Sequence, residues 1–387
     1  MNTVDILRDL IAFDTTSRNT NRALMDHVAR LLAEAGITPQ LVPDPTGTKL
    51  NLYATVGPAD RGGVMLSGHT DVVPVDGQEW TRPAFEMTES DGRLYGRGTT
   101  DMKGFVAAAI RAARAAAVRD LQTPLHLAFS CDEEVGCLGV RTLIDLLDGA
   151  PVRPAMCIVG EPTAMQVATG HKGKIALQTV CIGREGHSAL APMALNAIHL
   201  ALDFVSELRA LQAELAERGA RDGDYDVPYT TLHVGKIAGG TALNIVPNRC
   251  TLDWEIRNIV EDDPAMILGR LEAAAQRIAD AARRHAPEAR IGTEQVFAYP
   301  GLGTPPGADV VAFVKALTGA NGTIKVAFGT EGGLFSQRLG IPTVVCGPGS
   351  MAQGHKPDEY VTRAQLDLCD KMLDRLLDRL AGGGGPG

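Results

Sequence analysis

A mostly parallel α/β sheet domain interrupted by an inserted α+β domain is the fold that the sequence predicts, and three observations carry this reading. Over about the first 170 residues, short apolar runs rich in Val, Ile and Leu alternate with helical patterns. From about residue 175, strands with alternating apolar and polar positions surround two long helical patterns, and near residue 290 the first rhythm returns. A chain of 387 residues also exceeds the roughly 250–300 at which single cores stop growing. The expected division is 1–174 and 289–387 for the α/β domain, with 175–288 as the insertion.

The start, MNTVDILRDLIAFDTTS, reads as an amphipathic helix with Val4, Leu7, Leu10 and Ile11 inward. Helical patterns follow at about 20–35, closed by Gly36, and at 103–118 and 138–147. Between them lie strand candidates near 50–56, 64–68, 125–130 and 156–160. These runs are almost wholly apolar, as expected of strands covered on both faces. In the insertion, strands at 175–183, 229–237 and 249–257 and helices near 193–217 and 264–285 suggest a sheet with helices on one face. Strands at 324–328 and 341–346 and a helix at about 362–380 complete the first domain, and the terminal GGGGPG carries no folding pattern.

Apolar residues make up 45% of the chain and charged residues 21%, an ordinary globular balance. A formal charge of −9 argues against a nucleic-acid surface, because phosphate binding requires clustered Lys and Arg. A small-molecule partner is expected instead. The first residues lack a basic stretch followed by an apolar one, and no apolar run approaches the roughly 20 residues that span a bilayer. With seven cysteines, mostly inside apolar strand-like runs, the expectation is a cytoplasmic protein with buried free thiols and no membrane association.

Acidic residues and histidines gather just beyond the predicted strands. In SGHTDVVP, His69 and Asp71 are spaced so that both side chains leave one side of an extended segment. One can bind a metal while the other orients it, although the pair alone reads equally as two polar loop residues. Asp101, in YGRGTTDMKGF, precedes the helix that begins near Lys103, where it is either a ligand or a helix cap. Asp132, Glu133 and Glu134 follow the strand LHLAFS with no basic residue beside them in sequence. Such crowding calls for a cation or raised pKa values, unless the run is a solvated acidic turn. In extended backbone, Glu133 and Glu134 face different partners. Glu161 follows AMCIVG, and His355 lies in QGHKPDEY after the strand 341–346. Open α/β sheets place their sites at these strand ends. Two imidazoles among several carboxylates form an N/O donor set that suits zinc better than Mg²⁺ or Ca²⁺. The other histidines, His27, His126, His199, His233 and His285, fit helix or strand patterns and read as structural, whereas His171 at the domain junction stays open. His187, in the Gly- and Ser-rich GREGHSALAP of the insertion, is placed to reach a cleft.

With these residues in view, the chain resembles the two-zinc aminoacylase and carboxypeptidase clan and, within it, the acetylornithine deacetylases. SGHTDVVP, GRGTTDMKG, DEE, GEPT, HKGK, GREGHSA, VPYTTL, GPGS and HKPDEY occur in the order which that family shows, over nearly the whole chain. The resemblance implies a zinc-peptidase-like catalytic domain with a ferredoxin-like insertion that serves as lid and dimerisation domain. It makes His69 and Glu161 terminal ligands of one zinc and Glu134 and His355 those of the other, with Asp101 bridging. Asp71 would hold His69, and Glu133 would be the general base. His187 would reach the active site of the partner subunit of a homodimer. Co²⁺ or Mn²⁺ remain possible substitutes for zinc, since N/O ligands do not choose between these metals.

The same resemblance implies removal of the acetyl group from an N-acyl amino acid, with Nα-acetyl-L-ornithine as the first candidate. Another deacylase, a desuccinylase or a dipeptidase of the clan is the alternative. Asn244 and Arg257 match lid positions that contact substrate, although Arg257 reads equally as a surface ion pair. In GTEGGLF, Leu334 stands where related desuccinylases carry Arg. Glu331 there is a candidate for neutralising the cationic side chain of ornithine, or for pairing with a Lys or Arg of the protein itself.

Overall fold

Which strand joins which sheet is decided by how many of its faces must be covered. The structure, a computed structural model, describes residues 1–382 and divides into two compact units. Of the terminal GGGGPG, Gly382 closes the last helix and 383–387 lie outside the described residues. The first unit is Met1–His171 with the chain from Leu302 onward, and the second is Lys172–Gly301.

The first unit holds a nine-stranded sheet. Its centre is four parallel strands, Leu125–Ser130, Val64–His69, Met156–Pro162 and Thr343–Gly347, in that order. Every residue of these four is buried, which is why each reads as a continuous apolar run rather than an alternating one. Leu50–Val56 extends the sheet antiparallel at one edge and Ala168–His171 at the other. Helices Thr3–Ile11, Lys103–Ala116 and Arg363–Ala381 pack against one another over the sheet, and Val140–Asp148 packs with Gly332–Leu339. The helix Lys103–Ala116 lies close to the strand that carries Glu161 because residue 160 is glycine. A Cβ at Gly160 would sit 1.9 Å from Cγ of Phe105.

The second unit is an antiparallel sheet in the order Thr231–Gly239, Arg249–Arg257, Lys174–Ile182, Arg290–Tyr299. Helices Ala197–Arg218 and Pro264–Arg283 complete a β-α-β-β-α-β succession. That succession and strand order are the ferredoxin-like arrangement. Along Lys174–Ile182 alternate residues are buried, and Ile175, Leu177 and Cys181 pack with Phe204, Leu208 and Trp254. Only one face is covered, so the period-2 pattern is visible in the sequence.

The expected return to the first domain at 289 is corrected here. Arg290–Tyr299 pairs with Lys174–Ile182 and stays in the second unit, so the return falls at Leu302. No residue of that strand is buried. An edge strand of this kind carries no apolar rhythm from which its sheet could be read. The first boundary moves from 174 to His171 for a similar reason, since Lys172 already anchors within the second unit by donating to the Tyr229 carbonyl at 2.7 Å. All seven cysteines are free and buried, and no helix among the described residues is long and apolar enough to cross a membrane.

Candidate metal centre

Because the central strands are parallel, their C-terminal ends open on one edge of the sheet, and the loops leaving them deliver the polar residues. His69 ends its strand in register with Ser130, whose chain continues into Asp132, Glu133 and Glu134. Glu161 lies within the next strand, and His355, at φ 59°, follows the strand Thr343–Gly347. Asp101 precedes the helix Lys103–Ala116. That helix is capped by Met102 without a side-chain hydrogen bond, so Asp101 is not the cap.

The geometry centres on Asp101. Its Oδ1 is 3.1 Å from Nε2 of His69, and its Oδ2 is 2.8 Å from Nε2 of His355. Glu161 approaches Nε2 of His69 at 3.7 Å, and Glu134 approaches Nε2 of His355 at 3.1 Å. Each oxygen of Asp101 thus faces one imidazole, and each imidazole has a further carboxylate. Glu133 and Glu134 diverge, Glu133 grouping with His69 and Glu161 and Glu134 with His69 and Asp101.

Asp71 divides its work differently from the expected carboxylate–imidazole contact. Nδ1 of His69 lies 2.9 Å from the Asp71 main-chain carbonyl, whereas the Asp71 carboxylate is 3.7 Å away. The N–H on Nδ1 therefore goes to the carbonyl, which leaves Nε2 as the lone-pair nitrogen facing the carboxylates. The Asp71 carboxylate instead accepts from the Ser17 hydroxyl at 2.7 Å and from the backbone N–H groups of Glu133 at 3.1 Å and Glu134 at 3.3 Å. It fixes the turn that aims the two glutamates. Lys49 pairs with Asp132, a basic partner far away in sequence that the acidic run gave no sign of.

Crowding buried carboxylates in one pocket is unfavourable, and the ionisation shows it. Burial pushes the Glu133 and Glu161 carboxyls well above the usual range and Glu134 to about 7. Burial also acts to raise Asp101, but hydrogen bonds from His355 and His69 outweigh it and hold that carboxyl below its ordinary value. The Asp101 and Glu134 carboxylates lift His355 to about 10. Perturbed groups converging at a strand end mark a functional site. The donor set fits metal ions. Tetrahedral zinc with ligands at about 2.0–2.1 Å separates its donor atoms by about 3.3 Å, and the spacings here of 2.8 to 3.7 Å bracket that value.

Glu331 corrects the expectation placed on it. Its side chain is buried at 1% exposure, accepting from the Ser130 hydroxyl and, at 3.1 Å, from the Ser67 hydroxyl. Burial raises its carboxyl to about 7. It is tied to the two strands that bear the site and does not face solvent to meet a substrate ammonium. Ser17, Ser67 and Ser130 were missed from the sequence, where an isolated serine gives no signal.

The remaining expected residues belong to the second unit. His187 pairs with Ile245 across a short ribbon and accepts from the Ala189 N–H at 3.1 Å, and Ser188 donates to the Asn244 carbonyl at 3.0 Å, so His187 and Asn244 lie on adjoining loops. Arg257 contacts Glu255 at 3.0 Å and the Tyr299 hydroxyl at 3.2 Å. The ion-pair reading of Arg257 describes this geometry. His171 accepts from the N–H of Gly333 at 3.3 Å within the first unit.

Residues 65–379 match the family model described as peptidase family M20/M25/M40. An acetylornithine deacetylase of Yersinia pseudotuberculosis is 33% identical over 387 residues, covering 97% of this chain and 96% of that protein. A solved M20 family metallo-carboxypeptidase from Sulfolobus solfataricus superposes with a TM-score of 0.79 at 19% identity, covering 98% of this chain and 99% of that one. A dinuclear metal-binding peptidase of the M20 family from Bacillus subtilis gives a TM-score of 0.65 at 16% identity, with 97% and 96% covered.

Proposed function

This chain belongs to peptidase family M20/M25/M40 and is a hydrolase acting on amides, and from that premise we propose that it cleaves the acetyl group from Nα-acetyl-L-ornithine, releasing acetate and L-ornithine. The observation that carries the chemistry is Asp101, with one carboxylate oxygen toward each of two imidazoles and a further carboxylate beside each imidazole. The likeness along nearly the full chain to an acetylornithine deacetylase supports the substrate.

His69 and Glu161 would hold one Zn²⁺ and Glu134 and His355 the other, with Asp101 shared. When bound, such cations supply Lewis acidity toward the acetyl carbonyl and make a water molecule acidic enough to attack near neutral pH. Glu133 takes the proton of the attacking water and returns it to the α-nitrogen as the C–N bond breaks. A carboxylate that is not spent on holding a cation would suit that task. Nδ1 of His69, bonded to the Asp71 carbonyl, keeps Nε2 free for ligation. In the proposed cytoplasmic homodimer, His187 of one subunit donates to the carbonyl oxygen in its partner's site, a contribution of roughly 3–4 kcal/mol for a well-placed donor. Of the three expected substrate contacts, Glu331 is engaged by Ser67 and Ser130 and Arg257 by Glu255 and Tyr299, so the side chain is assigned to Asn244.

The test is kcat/KM of the zinc-loaded protein on Nα-acetyl-L-ornithine, Nα-acetyl-L-glutamine, Nα-acetyl-L-methionine and N-succinyl-diaminopimelate, alongside Glu133→Gln. A preference for acetylornithine of at least tenfold, about 1.4 kcal/mol, is expected, with activity lost in Glu133→Gln at unchanged zinc content. A flat profile removes the substrate, and full activity of Glu133→Gln removes the base.

A further inference from the structure

Four residues beyond His355, in the loop that delivers that imidazole, Glu359 is buried at 1% exposure. It touches no proposed zinc ligand through its own side-chain contacts with other side chains, yet its carboxylate is fully engaged. Oε1 accepts from the backbone N–H of Thr100 at 2.9 Å and of Asp101 at 3.0 Å. Oε2 accepts from Nη1 of Arg97 at 2.7 Å and from the N–H of Gly98 at 3.0 Å. Every one of these partners is a donor, so both oxygens of the carboxylate are used as acceptors. The frame continues outward. Nη2 of Arg97 donates to Oε1 of Gln78 at 2.6 Å, and Nε2 of Gln78 donates to the main-chain carbonyl of His355 at 3.1 Å.

Two loops far apart in sequence, 97–101 and 355–359, are thereby joined through one carboxylate. Asp101 ends the first and His355 begins the second, and Oδ2 of Asp101 and Nε2 of His355 stand 2.8 Å apart. Both loops are irregular, with Gly98 at φ 88° and His355 at φ 59°. Pairing of Arg93–Tyr95 with Tyr360–Thr362 and the Gly96 N–H bond to the Glu359 carbonyl at 2.9 Å join their outer ends, and the Glu359 carboxylate carries the connection inward to Thr100 and Asp101. From this geometry we propose that Glu359 is a positioning residue of the metal centre, setting the separation of Asp101 and His355 by gripping the backbone on which Asp101 rides. This rests on the reading of the cluster as a metal site.

Zn²⁺ affinity and stoichiometry of the full-length apo-protein, measured by competition with a chromophoric chelator, test this directly. Glu359→Gln keeps the volume but turns an N–H group toward donors that already face it. It should weaken binding of zinc by about 10–100-fold, the usual effect of losing an outer-sphere partner. Asp370→Ala, which breaks hydrogen bonds to Thr3 and Arg111 on the helix Arg363–Ala381, serves as the control for destabilisation alone and should leave zinc affinity as in the parent. Should Glu359→Gln not fold, Arg97→Lys carries the test, since an ammonium cannot span both Glu359 and Gln78, and it should weaken zinc in the same way. Unchanged zinc affinity in the folded variant, or an equal loss in Asp370→Ala, overturns the proposal. A parent protein that takes up no zinc overturns the metal reading itself, a separate failure.

Discussion

Replacing Asp71 by Asn separates the two jobs that this residue performs. The carbonyl that holds Nδ1 of His69 is main chain and survives the substitution, whereas the carboxylate that accepts from Ser17, Glu133 N–H and Glu134 N–H is changed. An Asn oxygen can replace Oδ2 and keep Ser17 and Glu134. The amide NH₂ then replaces Oδ1 and confronts the N–H of Glu133. One charge-assisted hydrogen bond is lost and a buried donor is stranded, together about 2 kcal/mol. Expressed at the transition state through a misaimed Glu133, this is a fall of about 30-fold in kcat, at about 1.36 kcal/mol per tenfold. The assay is steady-state hydrolysis of Nα-acetyl-L-ornithine by the zinc-loaded variant, with zinc affinity measured in parallel. KM and zinc affinity should stay near those of the parent. A variant that loses zinc tenfold or more, yet turns over normally when saturated with metal, would show that the carboxylate serves the metal ligands rather than the aim of Glu133, and refute the division.

Other perturbations probe the scaffold. Gly160→Ala drives a methyl into the ring of Phe105 and should lower stability by about 1–3 kcal/mol or more, read as the urea midpoint. An unchanged midpoint would mean that the helix yields easily at this contact. His126 is buried beside Tyr53 and Thr55, and burial lowers its pKa from the ordinary 6.5 to about 4. The unfolded chain therefore binds a proton that the fold refuses between these values, and stability should fall by about 3 kcal/mol as pH drops from 6.5 to 4. Denaturation of His126→Gln across that window should lack this component, and an identical pH slope in variant and parent would discount it.

The residues that gather at the centre, and the sheet that carries most of them, are legible in the sequence by itself. His69, Glu133, Glu134 and Glu161 end or closely follow short apolar runs, where a parallel sheet covered on both faces opens, whereas Asp101 precedes a helix and His355 lies in a loop beyond its strand. Fully buried strands and one-sided strands leave different periods in the chain, so the two units were legible as well. What the tertiary structure alone decided lies where partners are distant in sequence or a strand carries no pattern. Arg290–Tyr299 has no buried residue, so only its pairing with Lys174–Ile182 assigns it to a sheet. Lys49 and Asp132, Glu331 with Ser67 and Ser130, and Glu359 with the Asp101 loop meet across the fold. The order of residue types along a chain limits which donors and acceptors exist. Which of them share a buried hydrogen bond depends on packing that brings loops together, and that separates the carbonyl of Asp71 from its carboxylate and turns Glu331 toward Ser67 and Ser130.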